Sequence, residues 1–368
     1  MTMPHPALPV VAGIRPLWAN DEMVVAYHRG RIAVTDIDLS AIRWQVDLPA
    51  LSRRAALAAK TRLTRRILRV EPTDAIEGAP GSIFINNRSV IWRLDLDSRT
   101  LVPDFAIPDG RNALALCPLT GVPGFDDGLC FGDYFDNPGK GEVRIWRRSI
   151  AGDWDVAYRF GAGEIDHVHA LVPDPHRQCL WILTGDIGSG AALWQARDNF
   201  TDVRPVLRGD QLYRATWLYP TPEALYYATD TQLEQNYLCR LTGSGDAWRV
   251  DRVRTLPGSS IYGAPIPDGF LFSTAIEPGM PSGRLIPDLI ERRPGPGIQG
   301  NRAFVYRLGL YGRCTEILAA EKDIWPLRLM QFGTFHLCAA PGGRAYAYGV
   351  AVRAWDGKAA IIDTSIPA

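Results

Sequence analysis

The sequence predicts an all-β fold, a single-chain β-propeller over residues 1–368 with about seven four-stranded blades, or six if segment 22–48 closes against the C-terminus. Three observations lead there. A short apolar run ending in a small residue and then an acid recurs as Gly-Leu-Cys-Phe-Gly-Asp (128–133), Leu-Trp-Ile-Leu-Thr-Gly-Asp (180–186), Leu-Tyr-Tyr-Ala-Thr-Asp (225–230) and Phe-Leu-Phe-Ser-Thr-Ala-Ile-Glu (270–277). The closing acids Asp133, Asp186, Asp230 and Glu277 are 53, 44 and 47 residues apart, the spacing of one propeller blade. The chain of 368 residues is long for one ordinary core, and its 35 Gly, 28 Pro and 11 Trp suit turn-rich radial repetition.

Each interval divides into four strands. Within 166–207 these are Val168–Val172, Cys179–Leu183, Ala192–Ala196 and Val203–Leu207. Within 213–254 they are Arg214–Leu218, Leu225–Ala228, Tyr237–Leu241 and Trp248–Val253. β-branched and aromatic residues fill the runs, and Gly, Pro, Asp and Asn fill the breaks. Weaker copies lie at 22–48, 82–107 and 328–364.

Two segments interrupt the repeat. Residues 51–70 predict a helix capped by Ser52, with Leu51, Leu57, Leu63, Ile67 and Leu68 as an apolar stripe. Arg53, Arg54, Lys60, Arg62, Arg65, Arg66 and Arg69 make it basic. It reads as an insertion packed on the propeller with a solvated basic face, or as a docking surface for an anionic glycan, a membrane face or an acidic partner. Residues 279–302, rich in Pro, Gly and Arg, predict a long loop insertion.

Composition narrows the function classes. Forty basic residues balance forty acidic ones, which argues against a nucleic-acid partner engaged over the whole surface. There is no Walker A sequence and no GxGxxG between strand and helix. No run of eighteen apolar residues predicts a transmembrane segment, and the N-terminal stretch lacks the pattern of a secretory signal. Cys117, Cys130, Cys179, Cys239, Cys314 and Cys338 stand singly in apolar runs, as reduced core thiols do, so a cytoplasmic location is expected.

The segments Gly-Asp-Tyr-Phe-Asp-Asn (132–137), Asp-His-Val-His-Ala-Leu-Val-Pro-Asp-Pro (166–175), Trp-Ile-Leu-Thr-Gly-Asp (181–186), Gln-Leu-Tyr-Arg-Ala (211–215) and Tyr-Ala-Thr-Asp-Thr (227–231) resemble the sialidase-like, Asp-box (BNR-type) propellers that accompany bacterial surface-polysaccharide genes. The resemblance covers roughly residues 110–280. It implies a propeller and a glycan or sugar ligand, with glycosyl hydrolase activity by analogy. The Asp boxes are degraded: Ala196-Arg197-Asp198-Asn199-Phe200 keeps the Asp but lacks the Ser and Gly.

In such a fold the first strand of each blade lines a central channel, and its start presents side chains to ligand. Those starts carry Arg111, His167 with His169, Tyr213 with Arg214, Tyr262 and Arg328; Gln211 and the acids Asp133, Asp186, Asp230 and Glu277 lie beside them. Convergent polar groups in a concavity form the default ligand site. His167 and His169, two apart in a strand, share a face. They read as ligands of a divalent metal with Asp186 or Asp133 as third ligand, as acid–base groups, or as strand-edge structure. No cofactor is otherwise indicated. Arg111, Arg214 and Arg328 suit an anionic sugar, because guanidinium forks pair with carboxylates. Tyr134, Trp181, Tyr213, Trp217 and Tyr262 are candidates for stacking on sugar rings.

The expected function is therefore a carbohydrate-active enzyme on an acidic polysaccharide, of lyase or glycosidase type. His167, His169, Tyr213, Asp133 and Asp186 form its catalytic set; Arg111, Arg214, Gln211, Asp230, Tyr262, Glu277 and Arg328 bind substrate. The alternative is a non-catalytic propeller that binds glycan or protein.

Overall fold

The computed structural model describes residues 8–50, 57, 59, 61–245 and 247–365. Among them, seven four-stranded antiparallel sheets follow one another along the chain, which defines a seven-bladed β-propeller. The strands expected for 166–207 are present as His167–Asp174, Cys179–Gly185, Ala192–Arg197 and Asp202–Arg208. Segment 22–48 does not merge with the C-terminus. It pairs with Arg15–Ala19 as a blade of its own, and Val10–Ala12 instead supplies the edge strand of the last blade, antiparallel to Lys358–Asp363. That settles seven over six.

By contacts the chain divides into two compact units. One comprises 1–71, 231–236 and 256–368; the other comprises 72–230 and 237–255. In both, hydrophobic residues of neighbouring blades interdigitate. Val143, Ile145 and Phe160 of the third blade meet Val168, Leu180, Ile182 and Trp194 of the fourth. In the other unit, Leu271, Val305 and Phe335 join Ala345, Ala347 and Ile362. The alternation read from the sequence is what makes this work, because each strand buries one row of side chains against each neighbouring sheet.

One strand assignment is corrected. Residues 214–218 do not open the fifth blade as a strand. Ala215 makes only an isolated bridge to Thr229, and the first strand is the short Tyr219–Pro220. A 3₁₀ turn over Gln211–Tyr213, capped by Asp210, occupies the approach instead. The degraded Asp box Asp198-Asn199-Phe200 is a 3₁₀ turn between the last two strands of the fourth blade. Phe200 is buried there against Phe125. Trp181 and Trp217 are core residues rather than sugar platforms; the Trp181 indole donates to Asp174 (3.0 Å). All six cysteines are free, and five of them are buried.

The larger correction concerns the basic helix. Leu51, Ser52, Arg53, Arg54 and Lys60 lie outside the described residues. The described helix, α1, is Arg62–Leu68, with Thr61 as its N-cap. Its faces are opposite to the expectation. Leu57, Leu63, Ile67 and Leu68 are exposed, whereas Arg65 and Arg66 are buried. Glu71 receives Arg15 (3.2 Å), Arg62 (2.9 Å) and Arg65 (3.0 Å); Arg62 also reaches Asp356 (2.8 Å) and Arg66 reaches Asp323 (2.7 Å). Buried Glu71 and the half-buried Asp323 and Asp356 therefore draw in the guanidinium groups, since an arginine can be buried once its charge and donors are matched. Arg62, Arg65 and Arg66 are thus committed inside the unit and do not form a solvated docking face.

The 279–302 insertion is present between strands Gly269–Ser273 and Arg302–Gly309, and carries a short helix, α2, Leu285–Leu289. A third short helix, α3, spans Leu327–Met330. Among the described residues no helix is long and apolar enough to cross a membrane.

A histidine, aspartate and arginine cluster

The candidate site is assembled on the fourth blade. Its first strand, His167–Asp174, pairs with Cys179–Gly185, and the register slips between Val168 and Ala170. The slip places a bulge at His169, a device that re-aims a side chain. His167 and His169 turn toward one another, with Nε2 atoms 3.0 Å apart. Each ring is held at its other nitrogen by a backbone carbonyl: His167 Nδ1 by Phe135 O (3.0 Å), His169 Nδ1 by Ala215 O (2.9 Å).

Asp186, just beyond the second strand, completes the group. Its Oδ1 lies 3.1 Å from His169 Nε2, 3.4 Å from His167 Nε2 and 3.1 Å from Arg214 Nη2. The same guanidinium nitrogen is 3.5 Å from Asp230 Oδ2. Two further contacts fix the Asp186 backbone: its N–H donates to Asp166 Oδ2 (2.8 Å), and its carbonyl accepts from Gln211 Nε2 (2.8 Å). The Tyr134 ring stands 4.5 Å from the ring of His167. His167, His169, Arg214 and Asp230 are buried, while the Asp186 side chain keeps 35% of its surface open to solvent.

Electrostatics follow from that packing. Burial favours the neutral ring and pushes the His169 pKa down, against the upward pull of Asp186. Burial alone would raise the pKa of Asp186. The close contacts with His167 and His169 and the Arg214 charge outweigh it, so the carboxyl is held well below its usual range.

Gly185 is required by contact. A Cβ there would sit 2.3 Å from both Cε1 and Nε2 of His169. Gly185→Ala is therefore expected to displace the imidazole and destabilise the fold by about 1–3 kcal/mol through overpacking. A denaturant melt and a crystal structure of the variant check this, and an unmoved ring would refute it.

The remaining predicted residues have other partners. Asp133 is completely buried; its Oδ2 accepts from Arg111 (2.6 Å) and from the backbone N–H and Nε of Arg144, and its Oδ1 accepts from the Trp146 indole (2.9 Å). That arrangement ties strands together and leaves no oxygen facing the histidines. Arg111 also lies over the Phe135 ring, 4.2 Å from its centroid. Tyr213 packs against the core between the fourth and fifth blades. Glu277 accepts from the Ser259 hydroxyl. Arg328, on α3 rather than on a strand, donates to Gly279 O. Tyr262 stacks on His336 (3.9 Å between centroids), whose Nδ1 accepts from Arg15 (2.8 Å).

Of the residues proposed from the sequence, the structure brings together His167, His169, Asp186, Arg214, Asp230 and Gln211. The sequence reading missed Asp166, the acid directly before the His-x-His pair, and the requirement for Gly185. It also missed Glu71 with its arginines. Asp166 had a legible signal in its position next to His167, while the Glu71 cluster had none.

No family model matches the chain, and no curated protein matches it by sequence. Solved structures match by fold. A chain of the mitotic checkpoint complex aligns over 100% of this chain and 99% of its own, with TM-score 0.55 and 11% identity. An oligogalacturonate lyase from Vibrio parahaemolyticus aligns over 97% of this chain and 91% of its own, with TM-score 0.52 and 9% identity. At such identities the likeness concerns the fold alone, and the fold hosts unrelated functions. The protein is therefore a seven-bladed propeller with a buried His/His/Asp/Arg cluster open on its Asp186 side.

Proposed function

We propose that the chain acts on an acidic glycan by elimination at the His167, His169, Asp186 and Arg214 cluster. The observation that supports this most is the convergence of these four side chains from three separate segments, beside Tyr134. Elimination next to a carboxylate starts with removal of the proton on the carbon that bears it. The electron pair left behind forms a carbon–carbon double bond, the bond to the glycosidic oxygen breaks, and that oxygen takes up a proton. The step needs a proton carrier and positive charge to stabilise the carbanion-like transition state. Tyr134 is the carrier in this reading, replacing Tyr213. Arg214 helps supply the charge, and Gln211 and Asp166 hold Asp186 in place.

Hydrolysis by paired acids fits less well. It calls for two carboxyl groups about 5–10 Å apart on opposite sides of the bond. Asp186 and Asp230 instead lean on one guanidinium, and Asp230 is buried. The fold is also one that an oligogalacturonate lyase has. The sialidase-like resemblance adds the expectation of an anionic sugar. Burial of both imidazoles favours the second reading, a glycan-binding propeller without turnover.

The test is Tyr134→Phe, assayed on uronate-containing polysaccharides through the ultraviolet absorbance of the unsaturated product. Turnover is expected to fall about 10²–10⁴-fold with little change in KM. New reducing ends without unsaturation would establish hydrolysis instead. Retained glycan binding with no product from the unmodified protein would establish the binding reading.

A further inference from the structure

We infer that His167, His169 and Asp186 hold a divalent first-row transition-metal ion. The inference deepens the reading above, and rests on it only for what the ion does to a glycan. Its basis is a conflict among hydrogen-bond roles. A backbone carbonyl only accepts, so the Nδ1 atoms facing Phe135 O and Ala215 O both carry hydrogen. In neutral rings both Nε2 atoms are then bare lone pairs. They face each other at 3.0 Å, and each also faces the same Asp186 oxygen, at 3.1 and 3.4 Å. Three electron-rich atoms aimed at one point repel unless positive charge lies between them.

A metal ion meets that need geometrically. With bonds of about 2.0–2.2 Å, ligand atoms separated by 3.0–3.4 Å subtend about 90–110° at the ion, between octahedral and tetrahedral values. Carbonyls on Nδ1 are what orient metal-ligating imidazoles elsewhere, and here both rings have one. Asp186 is fixed by Arg214, Gln211 and Asp166. Gly185 leaves the space into which the His169 ring fits. Two nitrogens and one oxygen select zinc, manganese or iron over magnesium or calcium, which prefer oxygen alone. Three protein ligands leave further positions for substrate on the open side of Asp186. A Lewis acid there would bind the acidic group of a glycan.

The experiment uses the full chain, stripped with a chelator and titrated calorimetrically with Zn2+, with Mg2+ as comparison. One Zn2+ per chain is expected, with Mg2+ binding much more weakly. Co2+ in place of Zn2+ is expected to give visible d–d absorption, a readout that needs no variant. His169→Ala and Asp186→Asn are each expected to weaken Zn2+ binding by more than the ~10–100-fold that loss of an outer-shell partner costs. Absence of stoichiometric Zn2+ binding and of a Co2+ spectrum would overturn the inference, leaving the two rings to share a proton. So would binding unaltered in folded variants. Metal bound without glycan turnover would refute the proposed function and leave the metal site standing. Turnover by protein that binds no metal would do the reverse.

Discussion

Glu71→Ala is expected to destabilise the protein by about 3–5 kcal/mol. Glu71 sits among Arg15, Arg62 and Arg65, with its side chain only 6% exposed. Removing it leaves the buried Arg15 and Arg65 guanidinium groups without their carboxylate and Arg62 with Asp356 alone. Loss of one partner from a buried ionic group costs more than the intact group contributes, because the survivors cannot regain water. The pH dependence has a definite sign. Burial alone would raise the Glu71 pKa, but Arg15, Arg62 and Arg65 hold it below its ordinary value of 4.5. A carboxyl with a depressed folded-state pKa stabilises the protein above the unfolded value, and that stabilisation is lost as pH falls through the folded one. Unmodified protein is therefore expected to lose stability on acidification below about pH 4.5, whereas Glu71→Gln shows a flatter acid limb and lower stability at neutral pH. Urea melts across the acid range check both statements. Equal stability of Glu71→Ala and unmodified protein would show that the arginines relax to solvent.

His169→Ala is expected to reduce turnover by about 10²–10³-fold, the usual loss when one preorganised electrostatic group is removed from a site. The same change strips Ala215 O of its donor, for a stability loss of about 1–3 kcal/mol. The two effects separate when kcat and the thermal midpoint are measured on one preparation. An activity loss in proportion to the unfolded fraction would make His169 scaffold. A folded variant with negligible turnover would place it in the chemistry.

The blades were legible because their signal is local. In 180–184 every residue is buried, and such runs end where a Gly, Thr or Asp starts a turn, so most strand bounds could be read off to within three residues. Residues 214–218 misled because Ala215, Trp217 and Leu218 are buried like strand residues, yet the pairing there is an isolated bridge at Ala215 and not a ladder. The closing acids look equivalent in sequence and are not. Asp133 is saturated by two arginines and an indole, while Asp186 faces two imidazoles. What differs is the neighbour each meets, and a repeat does not encode that.

The chain's own pattern was sufficient for the propeller, for the four-strand period, and for placing His167 and His169 side by side. These depend on alternation and on i to i+2 geometry, which are properties of short stretches. Folding alone decided which face of α1 is buried and which ionisable groups meet. Arg15 reaches Glu71 across 56 positions and Arg62 reaches Asp356 across 294. A helix carrying leucine on one side and arginine on the other gives no hint that carboxylates await the arginines. Burial of charge depends on partners brought together only when the unit folds, so the hydrophobic pattern pointed the wrong way there.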